Sequence, residues 1–462
     1  MNLTKKYLLH LLSSLKVSIP TKNEAAFTAF ASRQDNIDKV RQIQELQTKM
    51  AKDWELISRK LDIQNMHILF PNGTNGKEYE ADLDFNALDL NDLTSIAIVG
   101  LEHFGLQYFP DKKVIYGIPT ASGDLKFSLH YKVENDSETE LLHKELSIII
   151  NPDPKSLWKN IPSDENDPHW KPDNESTIYP LGEKTAVAAS KRGRSHANKG
   201  SFRDDAFKIK HFDQYGWSIA VVSDGAGSAK LGRKGAEIAC ESVIQYFEQY
   251  FNSETIHAFE SGIADHFERQ KDLHVCSDPL FNAAKHAYHS IADFAVKNDL
   301  ELNDLHATLI FSLFKKFNFG YAILSFGIGD CPIGLMNVDQ TAVVLMNTMD
   351  VGEFGGGTRF VTMPEVFAHP NFASRFNFEI FPDFSYLILM TDGIYDPKFE
   401  VEANLQKIEK WNALIDDIKG ENPEKFSVNL DAKNTETANG LSQWMDFWSP
   451  GNHDDRTLLL IY

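Results

Sequence analysis

Cysteine is scarce in this sequence, and long apolar runs are missing. Three cysteines occur among 462 residues, Cys240, Cys276 and Cys331, too widely spaced for a C-x-x-C pair or a disulfide framework. This usage predicts a reducing, cytoplasmic compartment. The segment 5–15 begins with two lysines but contains His10 and two serines, which favours an amphipathic helix over a signal peptide. No apolar run approaches the roughly 20 residues that a membrane-spanning helix needs.

Basic residues are outnumbered by acidic ones. The chain has 46 Lys and Arg against 66 Asp and Glu, a formal charge of −20. A surface that binds nucleic acid must supply cations to displace counterions from the phosphates, and anionic membranes attract polybasic segments. The charge balance therefore argues against nucleic acids and membranes as partners. At 462 residues the chain exceeds what one hydrophobic core normally fills, so two or three domains are expected.

Carboxylates are set into short turn motifs in the second half of the chain. Four aspartates each stand where an apolar run meets a turn: Asp205 in R-D-D-A-F, Asp224 in S-D-G-A-G, Asp392 in T-D-G-I-Y-D and Asp454 in H-D-D-R-T. Mg²⁺ and Mn²⁺ prefer oxygen ligands and keep several of their waters, so such carboxylates suit a hard-metal cage. Two ions about 4 Å apart favour phosphoryl chemistry. The motifs predict a divalent metal site that acts on a phosphate ester.

With their flanking residues, these motifs resemble the metal-dependent serine/threonine phosphatases of the type 2C family, particularly its prokaryotic branch. The resemblance covers about 177–462 and implies an α+β fold in which helices flank a two-sheet β-sandwich. Its ordered pieces are G-R-S-H-A-N-K-G-S-F-R-D-D-A-F (193–207), V-V-S-D-G-A-G-S-A (221–229), H-A-T-L-I-F (306–311), F-G-I-G-D (326–330), L-M-T-D-G-I-Y-D (389–396) and H-D-D-R-T-L-L-L-I-Y (453–462).

The resemblance implies a set of metal ligands for two Mn²⁺ or Mg²⁺ ions. Asp224 matches the family residue that bridges both ions, and the carbonyl of Gly225 matches a ligand of one of them. Asp392 and Asp454 match ligands of the second ion. Asp205 matches the aspartate that reaches the first ion through water.

A third ion is left open. Asp330 in G-I-G-D and Asp396 in D-G-I-Y-D match positions that hold a weaker third ion, with Asp392, in some bacterial members. Asp392 and Asp396 lie four residues apart, which is equally consistent with surface groups on a turn or a helix start.

The sequence departs from the eukaryotic pattern at the general acid. Relatives carry His directly after the D-G pair, where this chain has Ala226. Protonation of the leaving group would then come from a metal-bound water or from another group. His196 and His453 are the candidate side chains, with ordinary polar structural roles as the alternative.

The phosphate-gripping arginine is also missing from its family position, which is Gly200 here. Guanidinium is favoured over ammonium for bidentate phosphate capture. Arg194 is the chosen candidate because the resemblance to the prokaryotic branch implies polar and basic residues in this G-x-S-H segment. The other basic residues near the metal motifs are Lys199, Arg203, Lys230 and Arg233. A glycine-rich stretch at 351–362 matches the position of a mobile flap beside the active site, with a plain flexible loop as the alternative.

Four regions are predicted along the chain: a helical region 1–62, an immunoglobulin-like β-sandwich 63–152, a Pro-rich linker or strap 153–176 and the phosphatase-like domain 177–462. In the helical region, large apolar residues recur every three or four positions from Ile37 to Leu61. Packing of this stripe on the next domain and a dimer-forming coiled coil are the two interpretations, and the oligomeric state stays open.

The leading hypothesis is a cytoplasmic Mn²⁺- or Mg²⁺-dependent enzyme that removes phosphate from Ser or Thr of a phosphoprotein by direct attack of a metal-bridging hydroxide. Its amino-terminal regions would select a partner, such as a cognate Ser/Thr kinase. One rival is a catalytically silent scaffold of the same fold, which the missing His and Arg favour and the four retained metal aspartates oppose. A second rival is an enzyme of the same chemistry that acts on a phosphorylated metabolite, although the added amino-terminal regions favour a protein substrate.

Overall fold

The chain folds into two compact units, Met1–Leu157 and Trp158–Tyr462. The structure is a computed structural model that describes residues 3–270, 273–350 and 357–462. The boundary between the units falls inside the predicted 153–176 segment. The finer division of the first unit at residue 62, and its immunoglobulin-like character, stay predictions.

The first unit begins with helices because residues 24–61 contain no Gly or Pro and are rich in good helix formers. The helices are α1 (Leu3–Ser14), α2 (Glu24–Ala31) and α3 (Gln34–Asn65). Leu8, Phe27, Ala31 and Val40 form a small core where the first two helices pack on the amino-terminal half of α3.

The carboxy-terminal half of α3 has one packed face and one exposed face. Leu56 and Ile63 pack into the β core of the first unit, and Arg59 pairs with Asp92 at 2.6 Å. The predicted apolar stripe faces solvent and not this core. The exposed fractions are 62% for Leu46, 72% for Met50, 65% for Trp54, 50% for Ile57 and 54% for Leu61. Packing of this stripe on the next domain is therefore wrong for residues 46–61, because the opposite helix face makes that contact.

Two small sheets complete the first unit. Their strands are β1 (Gly73–Thr74), β2 (Tyr79–Asp82), β3 (Leu93–Val99), β4 (Leu106–Phe109), β5 (Val114–Gly117), β6 (Gly123–Val133) and β7 (Leu142–Asn151). The sheet orders are β1-β7-β6-β3 and β2-β5-β4. In β6 every second residue from Leu125 to Val133 is buried in the core that both sheets share.

The second unit contains a five-stranded and a six-stranded sheet, in the orders β10-β11-β12-β13-β16 and β15-β14-β17-β18-β9-β8. Their strands are β8 (Asn174–Leu181), β9 (Lys184–Lys191), β10 (Ala206–Phe212), β11 (Trp217–Ser223), β12 (Leu309–Phe317), β13 (Gly320–Ile328), β14 (Ile333–Asn337), β15 (Val343–Leu345), β16 (Phe376–Phe381), β17 (Phe384–Met390) and β18 (Arg456–Ile461). The pairs within both sheets are antiparallel.

Helices cover the outer faces of these sheets. They are α4 (Arg194–Lys199), α5 (Gly232–Tyr250), α6 (Thr255–Arg269), α7 (His274–Lys297), α8 (Pro364–Ala368), α9 (Asp392–Phe399), α10 (Ile408–Ile418) and α11 (Thr437–Trp444). One buried cluster lies between the sheets, one lies under α5 to α7, and one lies under α9 to α11. The predicted α+β class, a two-sheet sandwich flanked by helices, is confirmed. Within the described ranges, no helix combines the length and apolar character needed to cross a bilayer.

The packing of α5 gives a stability prediction. Ala at a helix-interior position normally stabilises by about 0.5–1 kcal/mol relative to Gly. At Gly235, however, a Cβ would overlap the carbonyl oxygen of Leu305, which is backbone and cannot swing away. We expect Gly235→Ala to destabilise the protein by roughly 1–3 kcal/mol, in the range of other overpacked sites.

The matched control is Gly440→Ala in α11, where the nearest atom to the new Cβ is 3.5 Å away. Urea unfolding should show lower stability for Gly235→Ala and unchanged or higher stability for Gly440→Ala. Equal stability of Gly235→Ala and the parent would contradict the close contact.

Candidate metal centre

The predicted aspartates meet at one end of the sandwich, between the two sheets. Asp224 directly follows β11 of the five-stranded sheet. Asp392 comes two residues after β17 ends, and Asp454 lies two residues before β18 starts, both in the six-stranded sheet. Asp224 is half-buried, Asp392 is half-buried and Asp454 reaches solvent. The carboxylates therefore line a cleft that solvent reaches.

Without a bound cation, the negative charges of these carboxylates repel one another. Burial, followed by repulsion from Asp392 and other carboxylates, raises the pKa of Asp224 well above its ordinary value. Burial and repulsion from Asp454 do the same to the pKa of Asp392. The Oδ1 atom of Asp392 is buried and has no hydrogen-bond partner in the described chain. A divalent cation would relieve the repulsion and satisfy this oxygen, so the donor set fits Mg²⁺ or Mn²⁺.

The D-G turn after β11 is held by its backbone. The amide of Asp224 donates to Thr308 Oγ1 at 2.9 Å, and the amide of Thr308 donates to the carbonyl of Asp224 at 2.8 Å. A Cβ on Gly225 would lie 2.5 Å from the carbonyl carbon of Gly232 and 2.8 Å from the carbonyl oxygen of Asp204. Only glycine fits at this close approach, which fixes the direction of the Asp224 side chain.

Asp205 connects the motifs through buried side-chain hydrogen bonds. It is buried, and its Oδ2 accepts hydrogen bonds from Thr391 Oγ1 at 2.8 Å and Thr457 Oγ1 at 2.7 Å. These two threonines adjoin the segments that carry Asp392 and Asp454. Burial and the charge of Asp455 raise the pKa of Asp205 to about 7, although the hydroxyl bonds oppose the rise. Its water-mediated role toward the first ion stays a prediction.

Asp455 is a site residue that the sequence reasoning missed. It is buried and accepts hydrogen bonds from the backbone amides of Gly193 and Asp204 and from His196 Nδ1, the last at 3.0 Å. The second aspartate of the H-D-D-R-T motif was the available signal. One side chain thus joins the amino-terminal motif, the D-D pair and the last strand.

The imidazole of His196 is held as a cation beside the predicted metal ligands. Burial lowers its pKa, but the hydrogen bond and charge of Asp455 outweigh this and raise the pKa to about 9. Its Nε2 atom lies 3.7 Å from Asp204 Oδ2. His196, Asp204 and Asp455 lie close enough together to share one cation. In the geometry described, the imidazolium itself balances the two carboxylates.

His453, the other candidate acid, has a different environment. Its ring packs between Trp158 and Trp448, with ring centroids 4.4 and 5.1 Å away, and its Nδ1 is buried without a partner in the described chain. Burial and the nearby charge of Arg194 lower its pKa. A neutral imidazole at pH 7 is a poor proton donor, so His196 is favoured.

Asp330 and Asp396 lie near Asp392, as the third-ion hypothesis requires. Burial and the charge of Asp330 raise the pKa of Asp396, and both carboxylates raise the pKa of Asp392. Asp330 Oδ2 accepts a hydrogen bond from Thr358 Oγ1 at 2.6 Å, so one residue of the predicted flap contacts this corner. Residues 351–356 of that flap lie outside the described residues. The third ion stays a prediction.

The candidate phosphate-binding residues separate into structural and exposed groups. Arg203 is buried and donates to the carbonyls of Pro172 and Asp205, and Arg233 is buried and pairs with Asp167 at 2.9 Å. Both arginines are committed to structure. Lys199 and Lys230 are exposed.

Arg194 is half-buried. Its Nη2 donates to the carbonyl of Asp446 at 2.6 Å, and its guanidinium lies over Trp448. Its role in binding phosphate stays a prediction.

A lysine from the Pro-rich segment supports the D-D pair. Lys171 Nζ donates to the carbonyl of Asp205 at 2.6 Å and to that of Asp204 at 3.3 Å. Burial and the neighbouring charge of Arg203 lower the pKa of Lys171 to about 8. The segment is held on the second unit by Arg192, which bonds Asn160 and pairs with Asp173. No sequence motif marks Lys171, because its role depends on a tertiary contact.

The sequence matches a known protein family. The family model described as Protein phosphatase 2C matches residues 192–426, just over half of the chain, and the chain belongs to this family. The predicted membership is confirmed. No curated protein matches the sequence.

Several solved structures are similar at low identity. A bacterial serine phosphatase is 17% identical with a TM-score of 0.35, over 60% of this chain and 96% of that one. The catalytic domain of the serine threonine protein phosphatase PstP, solved with two manganese ions, is 12% identical with a TM-score of 0.37, over 60% and 97%. The phosphatase Stp1 from Staphylococcus aureus is 14% identical with a TM-score of 0.37, over 63% and 98%.

The Asp455 contact predicts two distinct histidine titrations. In EDTA, the imidazole of His196 should keep its proton until about pH 9, because Asp455 stabilises the cation. The imidazole of His453 should be neutral at pH 7, because burial and Arg194 lower its pKa. Long-range ¹H–¹⁵N NMR of the imidazoles measures both, and spectra of His196→Asn and His453→Asn assign the signals. Titration of the His196 signal below pH 7 would contradict the ion pair.

The Lys171 contact predicts a loss of both stability and metal affinity. Lys171→Met leaves the carbonyl of Asp204 without this donor and should destabilise the protein by about 1–3 kcal/mol. It should also weaken Mn²⁺ binding roughly 10–100-fold, as loss of outer-shell support does in other metal sites. Thermal unfolding and calorimetric Mn²⁺ titration measure the two effects. Lys159→Met, at an exposed position of the same segment, is the control and should change neither quantity.

Proposed function

We propose that this protein is a metal-dependent phosphatase that removes phosphate from Ser or Thr of a phosphoprotein. The supporting observation is the cluster of Asp224, Asp392 and Asp454 at an open cleft, with mutual repulsion and one buried oxygen that lacks a partner. Membership of the Protein phosphatase 2C family supports the same chemistry. A phosphoprotein substrate follows the family, and the cytoplasmic location and the cognate kinase partner stay predictions.

The proposal assigns the metal ligands residue by residue. Asp224, the carbonyl of Gly225, Asp392 and Asp454 would hold two Mn²⁺ or Mg²⁺ ions, with Asp205 ordering the surrounding shell. When bound, the ions supply Lewis acidity and lower the pKa of coordinated water. The side chains of the cleft bind, orient and balance charge.

His196 is assigned as the group that holds a proton for the leaving oxygen. Its Nδ1 is bonded to Asp455, so Nε2 carries the available proton. A Cβ at Gly227 would lie 3.8 Å from His196 Nε2, which places that atom beside the turn that begins at Asp224. Departure of the Ser or Thr alkoxide requires such a proton. His196 therefore takes the place left by Ala226.

Arg194 is proposed to bind the phosphate. It stands on α4, the helix that also carries His196, and only one of its nitrogens donates a hydrogen bond, to Asp446. Removal of this side chain should raise KM for a phosphopeptide more than it lowers kcat, if its binding is equal in the ground and transition states.

Asp224→Asn tests the proposed function. We expect hydrolysis of p-nitrophenyl phosphate and of a phosphothreonine peptide to require Mn²⁺ or Mg²⁺ and to stop in EDTA. Asp224→Asn should lower kcat/KM by more than the roughly 10–100-fold that outer-shell changes cause. Asp213→Asn is the control, because the Asp213 side chain is 97% exposed and lies in another turn.

The same assay distinguishes the proposed phosphatase from its two rivals. Tight metal binding without turnover of either substrate would refute the phosphatase and favour the silent scaffold. Turnover of a small phosphate ester but not of any phosphopeptide would favour a metabolite substrate.

A further inference from the structure

The strongest unexplained feature is the exposed apolar stripe on α3, formed by Leu46, Met50, Trp54, Ile57 and Leu61. Half or more of each side chain is exposed. Together these side chains present roughly 600 Å² of apolar surface, at the upper end of the range for the largest patch on a soluble monomer. A patch of this size normally marks an interaction surface.

The stripe is continuous along the helix. Its members follow one another in steps of four, four, three and four residues. That spacing is close to an 11-residue repeat, which winds paired helices gently in the right-handed sense. The stripe runs for about 22 Å along the axis at 1.5 Å per residue. It therefore offers a flat, continuous ridge to another helix.

The order of the side chains is nearly symmetrical about Trp54. Met50 and Ile57 flank it, and Leu46 and Leu61 stand at the ends. When two such helices run antiparallel about a two-fold axis at Trp54, Leu46 meets Leu61 and Met50 meets Ile57 of the other copy. Self-complementarity of this kind is what a two-fold interface requires.

The two flanks of the stripe differ in charge. Gln47, Ala51 and Ser58 on one flank carry no charge, whereas Lys49, Asp53 and Lys60 on the other carry both signs. A two-fold axis at Trp54 sets each flank against itself, so Lys49 meets Lys60 of the other copy, and the charge of Lys60 is partly balanced by Asp136 at 2.7 Å. The apolar stripe and not charge pairing must therefore hold the copies together. Its roughly 600 Å² is about three quarters of the roughly 800 Å² per partner that a specific interface buries.

We propose that the protein forms a homodimer through antiparallel pairing of the α3 stripes, with Trp54 of each copy at the centre. This pairing covers the stripe that the β core of the first unit leaves exposed. It does not depend on phosphatase activity.

Light scattering coupled to size exclusion tests the dimer on the full chain from 1 to 100 µM. We expect a dimer for the parent that persists in 1 M NaCl, because its interface is apolar. Trp54→Glu should be a monomer, since it places a charge at the centre of the interface. Thr48→Glu is the control, because this exposed position lies on the opposite side of the helix, and it should remain a dimer.

Circular dichroism and turnover of p-nitrophenyl phosphate should be the same for Trp54→Glu and the parent, which separates dissociation from misfolding. A parent that is monomeric at 100 µM, or a Trp54→Glu variant that remains dimeric, would overturn the proposal.

Cross-linking tests the direction of the helices. Met50→Cys and Ile57→Cys chains, mixed and oxidised, should form a mixed disulfide in preference to either like pair, because antiparallel pairing places residue 50 against residue 57. The three natural cysteines are buried and should not compete. Preferential cross-linking of Met50→Cys to itself would show parallel helices and overturn the arrangement.

Discussion

Repulsion among carboxylates brought together at the edge of two sheets is the constraint on which the second unit depends. Burial and the charge of Asp392 raise the pKa of Asp224, and burial and the charge of Asp454 raise the pKa of Asp392. Such a group persists only where the backbone that carries it is fixed by other forces. Here those forces come from two sheets whose facing residues form one buried core. The large apolar interior thus stabilises a cleft that is itself unstable without a counter-charge.

The polar contacts around the cleft follow from the same constraint. Buried charges need partners, and each supporting group bonds two or more chain segments. Asp205 accepts from two threonines that adjoin the other motifs, while Asp455 accepts from two backbone amides and from His196. Because each of these side chains joins distant parts of the sequence, the position of every carboxylate depends on the whole sandwich. The site is preorganised by the fold rather than by any one loop.

The sequence predicted the parts of the site that have a local signature. A carboxylate between an apolar strand and a turn can be recognised in the sequence, which is why Asp224, Asp392 and Asp454 are predicted as metal ligands. Asp455 and Lys171 were not, because nothing local separates a buried acceptor or donor from a surface charge. Arg203 shows the converse: its position near the D-D pair suggested phosphate binding, whereas it donates to two carbonyls beneath the surface. Likewise, the periodic spacing of apolar residues predicted the helix α3, but it does not show which surface those residues contact.

The physical unit that builds the cleft is larger than the region that defines the family. The family match begins at residue 192, yet β8 and β9 precede it and supply the edge of the six-stranded sheet, with β9 paired to β18. β18 starts two residues after Asp454, and both lie beyond residue 426, where the match ends, so the register of Asp454 depends on two strands outside the match. Lys171 lies earlier still and bonds the carbonyls of the D-D pair. Strand pairing places little demand on residue type, since most side chains can form a strand, so β8 and β9 can support the site without a recognisable motif. The Lys171 contact does require a side-chain donor, and it goes unmarked because a single lysine forms no motif.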